Sequence, residues 1–362
     1  MSTPAAQNSE ETPRFALAPV GYSSDRRARP LLAILPAFIL AVALMLPPEA
    51  RINISGQTLY SYRVAWLLLT QWVVMEVVSG GSGACGLSAA LVVRAAGAEV
   101  VVLERDAVPA GSTALSAGLI PAGGSRWQAA EGIDDSAEAL AGDILAKSKG
   151  AADPAGLHAA TAASGPTLHW LSSAHGLPFE LLDGFVYPGH RVRRMHGMPE
   201  RSGASLIDRL RAAAEEAGAV IVTDAKVDTL FMAGDGAAGV GIARPDSEER
   251  VGCCALILAS NGYGGNRAAV KAHIPELSNA LWFGHDGNDG TALAFAKALG
   301  ADLGDLAGHQ GHGSVAHPHG ILITWATMTE GGFQVDQSGR RFSDESEGYS
   351  EQAARELDCP RG

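Results

Sequence analysis

The apolar residues of this chain come mostly in short continuous runs, separated by glycine-rich turns and by helical stretches. Val73 to Val78, Glu99 to Leu103, Ala219 to Thr223 and Ala255 to Ala259 are runs of the length and β-branched content expected of buried strands. Leu87 to Ala96, Ala137 to Ser148 and Pro154 to Ala174 read as helices, the last ending before Gly176-Leu177-Pro178. Ala204 to Ala217 alternates as an amphipathic helix with Leu206, Ile207, Leu210 and Ala213 on one face. Lys226 to Ala233 and Gly239 to Ala243 form a hairpin around Gly234-Asp235-Gly236. Strand and helix alternate, which predicts an α/β fold with a parallel sheet.

The pattern breaks at both ends. Residues 1–30 are polar and rich in Pro and Ser and read as a disordered tail. Residues 31–72 open with the apolar run Leu31 to Leu46, flanked by Arg26, Arg27 and Arg29 before it and Pro47-Pro48 after it. That run is shorter than the roughly 20 residues that span a bilayer. It is read either as a membrane anchor with its basic flank in the cytoplasm, or as a foreign extension upstream of a soluble enzyme. The catalytic part is placed in the cytoplasm. It is divided into 73–266, a Rossmann-like domain, and 267–362, where short elements separated by Gly- and His-rich loops begin an α+β domain.

Composition narrows the function. A net charge of -12 lacks the basic footprint of a nucleic-acid binder. The four cysteines, Cys85, Cys253, Cys254 and Cys359, have no metal-ligand or redox spacing. Cys253 and Cys254 lie in a predicted strand and are expected in the core.

The chemistry begins at Gly81-Ser82-Gly83-Ala84-Cys85-Gly86. This G-x-G-x-x-G follows a strand and opens a helix, and Glu104-Arg105 closes the next strand. Such an order is a dinucleotide-binding βαβ unit, with the pyrophosphate at the helix N-terminus and Glu104 placed for a ribose hydroxyl. Two further backbone-exposing segments, Gly111 to Gly118 and Ala259-Ser260-Asn261-Gly262, imply a long cofactor in extended form.

Several spaced motifs carry a resemblance. They are Ala110-Gly111-Ser112-Thr113 with Ser116-Ala117-Gly118, then Ala259 to Asn266, then Asn288-Asp289-Gly290. The last is Glu330-Gly331-Gly332 running through Val335 and Gly339-Arg340-Arg341-Phe342 to Glu345. From Val73 onward the chain resembles the fumarate reductase/succinate dehydrogenase flavoproteins, and near its C-terminus the 3-ketosteroid dehydrogenase branch. The resemblance implies FAD in a Rossmann-like domain with an inserted α+β substrate cap. It implies flavin contacts from Ser112, Thr113, Ser116 and Gly118, and an adenine contact through the Val227 backbone. Further cofactor contacts are expected from Gly81, Gly83, Ala84, Gly86, Glu104, Arg105, Ala259, Asn261, Gly262 and Asp289. Leu119 to Ala122 lacks the histidine that attaches flavin covalently in some members, so the FAD is expected to be non-covalent.

Hydride transfer at flavin N5 also needs a group that handles a proton. Tyr349 stands where ketosteroid dehydrogenases carry a tyrosine and fumarate reductases an arginine. His312, in Gln310-Gly311-His312, stands where fumarate reductases bind a substrate carboxylate. The expected reaction is dehydrogenation beside a carbonyl of an organic molecule, with a steroid-like one suggested by Tyr349, and reduction of a small carboxylate as the alternative. The electron partner is open. Arg191, Arg193 and Arg194 form a basic loop that could hold an anion or simply be solvated. No metal site is expected from His309, His317 and His319. Family members continue well past residue 362, so the cap is expected to be incomplete and the isolated chain to have low activity, or to keep the fold without the reaction.

Overall fold

The computed structural model describes residues 14–17, 51–54, 57–60, 74–184, 186–316, 319, 321–323 and 325–359. The apolar run 31–46 lies outside them. Two compact units emerge, each assembled from separated stretches. The first comprises residues 1–110, 210–261 and 291–300, and the second 111–209, 262–290 and 301–362.

The first unit is built on a seven-stranded sheet. Its strands are β1 (Arg14–Leu17), β2 (Val74–Gly80), β3 (Val100–Leu103), β4 (Val220–Val222), β5 (Lys226–Ala233), β6 (Gly236–Ala243) and β7 (Glu248–Leu258), in the spatial order β1-β5-β6-β7-β2-β3-β4. The four strands β7, β2, β3 and β4 run parallel, with Val78 opposite both Leu256 and Val101. The strands β5, β6 and β7 form an antiparallel meander, and β1 pairs parallel to its outer edge. A separate hairpin pairs Arg51–Ile54 with Gln57–Tyr60.

Strand β3 reads as an unbroken apolar run because it is buried on both faces, with all four of its residues buried. Helix α1 (Ala84–Ala95) crosses from β2 to β3 and buries Leu87, Ala90 and Leu91, spaced three and four apart on one stripe. Helix α2 (Gly203–Glu216) precedes β4, and α3 (Thr291–Ala298) adds Phe295 to a core of Val78, Val101, Leu103, Leu230, Val240, Ile242 and Cys253. Cys254 does not join that core. Successive strand side chains point to opposite faces, so Cys253 is buried and Cys254 exposed.

The second unit packs helix Ala137–Lys147 against helix Pro154–His175. The longer helix starts with Asp153 accepting from the Gly156 N–H, Pro154 in its first turn, and ends at a left-handed Gly176. Ile120–Pro121, Glu180–Leu181 and Met195–Gly197 form a small antiparallel sheet with Met195–Gly197 in the middle. The last helix is Tyr349–Asp358.

Candidate functional site

In the first unit the turn after β2 forms a cradle. Gly81 has φ +120°, and a Cβ there would lie 2.6 Å from the Ala259 carbonyl oxygen, so only glycine fits. The Gly81 N–H donates to Leu103 O at 2.8 Å, and the Ala259 N–H to Gly80 O at 2.9 Å. These bonds bring the ends of β2, β3 and β7 together, and with them Gly81, Glu104 and Ala259. Gly83 caps α1 without a side-chain bond, and no acidic residue sits in the first turn. The positive end of the helix dipole is therefore not met by an acid of the helix itself. Glu104, the acid that follows β3, is buried. Its Oε2 accepts from the Ser82 N–H at 2.9 Å and from the Ser82 hydroxyl, and its Oε1 from the Asp106 N–H at 3.1 Å. Arg105 pairs with Asp106 at 3.8 Å. Val227 lies on β5 beside a register shift, and Asn261 has φ +66° just beyond β7. A closely approachable backbone, a side-chain-free helix cap and a buried acid fit the pyrophosphate and ribose of a dinucleotide.

The remaining predicted cofactor residues belong to the second unit. Ser116 donates through its hydroxyl to Thr113 O at 2.7 Å and accepts from the Gly118 N–H at 3.0 Å. The Gly203 N–H secures this loop to Ser116 O at 2.9 Å. The loops 262–266 and 285–290 are stitched to one another and to the Ser112 turn. Gly265 N–H donates to Asn288 O at 2.9 Å, Asn266 Nδ2 to Asp289 O at 3.1 Å, and the buried Asn288 Nδ2 to Ser112 Oγ at 2.9 Å. Ser112, Gly262 and Asp289 therefore belong to one bonded assembly, though they are far apart in sequence.

The second unit also contains Tyr349 and His312, which the structure brings together. Their rings stack at 4.7 Å with 16° between planes. The Tyr349 hydroxyl shares a 2.5 Å hydrogen bond with the Tyr187 hydroxyl and accepts from Gln310 Nε2 at 2.5 Å. Trp325 stands edge-on at 6.1 Å. Burial, reinforced by the bond to Tyr187, pushes the Tyr349 phenol well above its ordinary value. Tyr349 therefore rests protonated.

Burial also lowers His312, which favours the neutral imidazole. Its tautomer follows from its neighbour. The Ser314 hydroxyl donates its single proton to Ile323 O at 2.7 Å. It must then accept from His312 Nδ1–H at 3.0 Å, leaving Nε2 as an acceptor. Tyr187 and Trp325 were missed in the sequence reading. Tyr187 lies 162 residues from Tyr349, and its only local signal is the Tyr-Pro-Gly turn inside the basic loop.

That basic loop is not an anion site. Arg191 pairs with Asp143 at 2.6 Å, and Arg193 with Asp183 at 2.7 Å and with Glu131. Arg194 is 1% exposed and grips Asp135 through two nitrogens and Asp143 through a third. The loop is neutralised by carboxylates, and Arg194 is a buried structural cation. Among the described residues no cluster of His, Cys, Asp or Glu could hold a metal ion, and no helix is long and apolar enough to cross a membrane.

Comparison with known proteins places this arrangement. The family described as FAD binding domain matches residues 77–358. The chain belongs to this family. An NADH:fumarate oxidoreductase of Klebsiella pneumoniae (strain 342) is 28% identical over 275 residues, which are 75% of this chain and 29% of that protein. The open conformation of a flavocytochrome c3 fumarate reductase shares the fold, with a TM-score of 0.71 at 24% identity over 86% of this chain and 55% of that one. The 3-ketosteroid-Δ4-(5α)-dehydrogenase of Rhodococcus jostii RHA1, solved with 4-androstene-3,17-dione, aligns with a TM-score of 0.67 at 26% identity, over 80% of this chain and 65% of that one. The chain thus spans between about a third and two thirds of these relatives. The cofactor of this flavoprotein family is FAD, in agreement with the cradle at Gly81.

Proposed function

We propose that the protein is an FAD-dependent oxidoreductase acting on a CH–CH bond next to a carbonyl, in a neutral, ring-shaped, steroid-like organic molecule. The observation that carries this reading is the tyrosine pair, with the Tyr349 hydroxyl bonded to both Tyr187 and Gln310. Bound FAD supplies hydride transfer at N5. The ADP half would be held by Gly81, Gly83, Ala84, Gly86, Glu104, Arg105, Val227, Ala259 and Asn261. The flavin half would be held, without a covalent bond, by Ser112, Thr113, Ser116, Gly118, Gly262 and Asp289. Tyr349 moves the proton that accompanies the hydride. Its buried hydroxyl gives a proton up in the reducing direction, and takes one only after ionising. Tyr187 and Gln310 orient it, and the Gln310 amide, which donates to its oxygen, would bear part of its charge when it ionises.

Two features favour a neutral ketone over a dicarboxylate. His312 keeps its proton on Nδ1, aimed at Ser314, so its open Nε2 would repel a carboxylate oxygen. Arg191, Arg193 and Arg194, within seven residues of Tyr187, and Lys147 and Arg355, which bond Glu351 and Glu347 on either side of Tyr349, are each bonded to a carboxylate. A fumarate-reductase-like reaction remains the second reading, supported by the position of His312 in Gln310-Gly311-His312.

The deciding experiment takes the purified, flavin-reconstituted chain through acid precipitation and then through turnover. Flavin should appear in the supernatant, and 3-ketosteroids with an artificial electron carrier should turn over faster than fumarate does with a reduced carrier. Absence of any flavin band, or a preference for fumarate, overturns the reading.

A further inference from the structure

The two tyrosines come from distant segments, yet one helix face is bonded to both. Asp143 and Lys147 stand four residues apart on helix Ala137–Lys147, and so on the same side. Asp143 accepts the Arg191 N–H at 3.0 Å and Arg191 Nε at 2.6 Å. That fixes the chain just after the Tyr187–His190 turn, which is itself closed by His190 N–H to Tyr187 O at 2.9 Å.

Lys147 reaches the segment that carries the other tyrosine. Its Nζ donates to Glu351 Oε1 at 2.6 Å and to Glu347 O at 3.3 Å, residues on either side of Tyr349. Its aliphatic stem covers Gly189, where a Cβ would lie 2.6 Å from Lys147 Cδ. Beneath this contact the two segments meet directly. Gly348, at φ +118°, has a backbone conformation that L side chains rarely adopt, and its neighbours are close. A Cβ there would sit 3.3 Å from Pro188 Cβ and 3.0 Å from Glu351 Oε2.

We propose that Lys147 is a positioning residue, a clamp that holds the Pro188-Gly189 turn against the Gly348–Glu351 segment and so sets the hydroxyl contact between Tyr187 and Tyr349. The inference rests on the reading of Tyr349 as the proton-handling group. An ion pair about one-third exposed on each side adds little to stability. Its consequence is geometric, because small displacements of a reacting group cost far more in rate than in folding. The charged and titratable groups around the pair include Lys147, Glu351, His190 and His312, with Arg191, Arg194 and Asp143 at the Tyr187–His190 turn and Glu347 and Arg355 beside Tyr349.

The test is Lys147→Met in the flavin-loaded chain, read by near-ultraviolet titration of the phenols, with Tyr187→Phe and Tyr349→Phe assigning the pair. The late-titrating component should move toward the ordinary tyrosine range. Turnover should fall about tenfold in kcat with KM unchanged, and Lys147→Arg should restore both. In a Tyr187→Phe background Lys147→Met should add nothing. An unmoved phenol titration, or an equal loss of turnover in both backgrounds, overturns the clamp. If Tyr349→Phe keeps full turnover, the proton-handling reading fails, while the phenol titration still decides the clamp.

Discussion

Tyr349 shows how a single side chain's surroundings select its chemistry. A free phenol titrates near 10; here burial acts first and the bond to Tyr187 second, and both raise it. The neutral phenol is the resting form across the physiological range. It follows that reduction of a C=C bond, which needs Tyr349 to give a proton, should be flat with pH through neutrality. Dehydrogenation, which needs the phenolate, should climb steadily with pH and not level off before the ordinary tyrosine value is passed. Tyr349→Phe should lower both directions by about 10²- to 10⁴-fold, the usual contribution of general acid–base catalysis, and should flatten the dehydrogenation profile. Initial rates across a pH series in both directions check this. A profile in Tyr349→Phe that keeps the wild-type slope would assign the proton to another group. The Tyr349 candidacy was legible in the sequence from its flanking motif. Its partner was not, because nothing in a chain signals which two residues 162 positions apart will share a hydrogen bond.

At the level of elements, the βαβ unit was the most readable part of the molecule. Apolar runs announced β2 and β3, the glycines announced the turn, and helix α1 began within three residues of its predicted start. Local signals suffice there because backbone conformation at Gly81 and the close approach of Ala259 exclude other residues. The basic loop was ambiguous for the opposite reason. Whether Arg194 binds a ligand or Asp135 depends on a helix more than 50 residues earlier in the chain, and only folding reveals it. Cys254 shows that period-two alternation outranks local hydrophobicity when adjacent residues share a strand.

The cradle yields the prediction for this scale. Gly81→Ala places a Cβ 2.6 Å from a backbone oxygen at a φ of +120°. Such strain costs of order 1–3 kcal/mol. Each 1.4 kcal/mol is about a factor of ten in affinity, so FAD binding should weaken roughly 10- to 100-fold. Fluorescence titration of the apoprotein with FAD measures it. Unchanged affinity would mean that the β2–α1 turn is not the cofactor cradle.

For the whole molecule, the interleaving of the two units hides their different responses to acid. The histidines shifted downward, His190, His196 and His312, all belong to the second unit, and burial is the leading cause for each. His196 is the most deeply enclosed. It is fully buried and bonded through Nε2 to Ser125 Oγ at 2.8 Å. The Ser125 oxygen also accepts from the Gln128 N–H at 3.1 Å. The ring is held neutral in the folded state. Unfolded histidine takes up a proton near pH 6.5, whereas these folded histidines resist until the pH is lower. The stability they lend is therefore complete above 6.5 and is lost as the pH falls below it. Asp135, Asp143 and Glu345, all held below their ordinary values and all in the same unit, withdraw further stability only as the pH falls past 4.5. No downward-shifted histidine belongs to the first unit among the described residues. Trp127, Trp170, Trp282 and Trp325, the tryptophans of the described residues, also lie in the second unit. With Trp66 and Trp72 replaced by phenylalanine, tryptophan fluorescence between pH 7 and 5.5 should therefore report a falling unfolding midpoint of the second unit. Hydrogen exchange at Val78 and Val101 in the first unit should stay protected under the same conditions. His196→Gln should remove part of the fluorescence shift. If both units lose protection together across this range, the buried histidines are not what limits the second unit, and the two share a single cooperative transition.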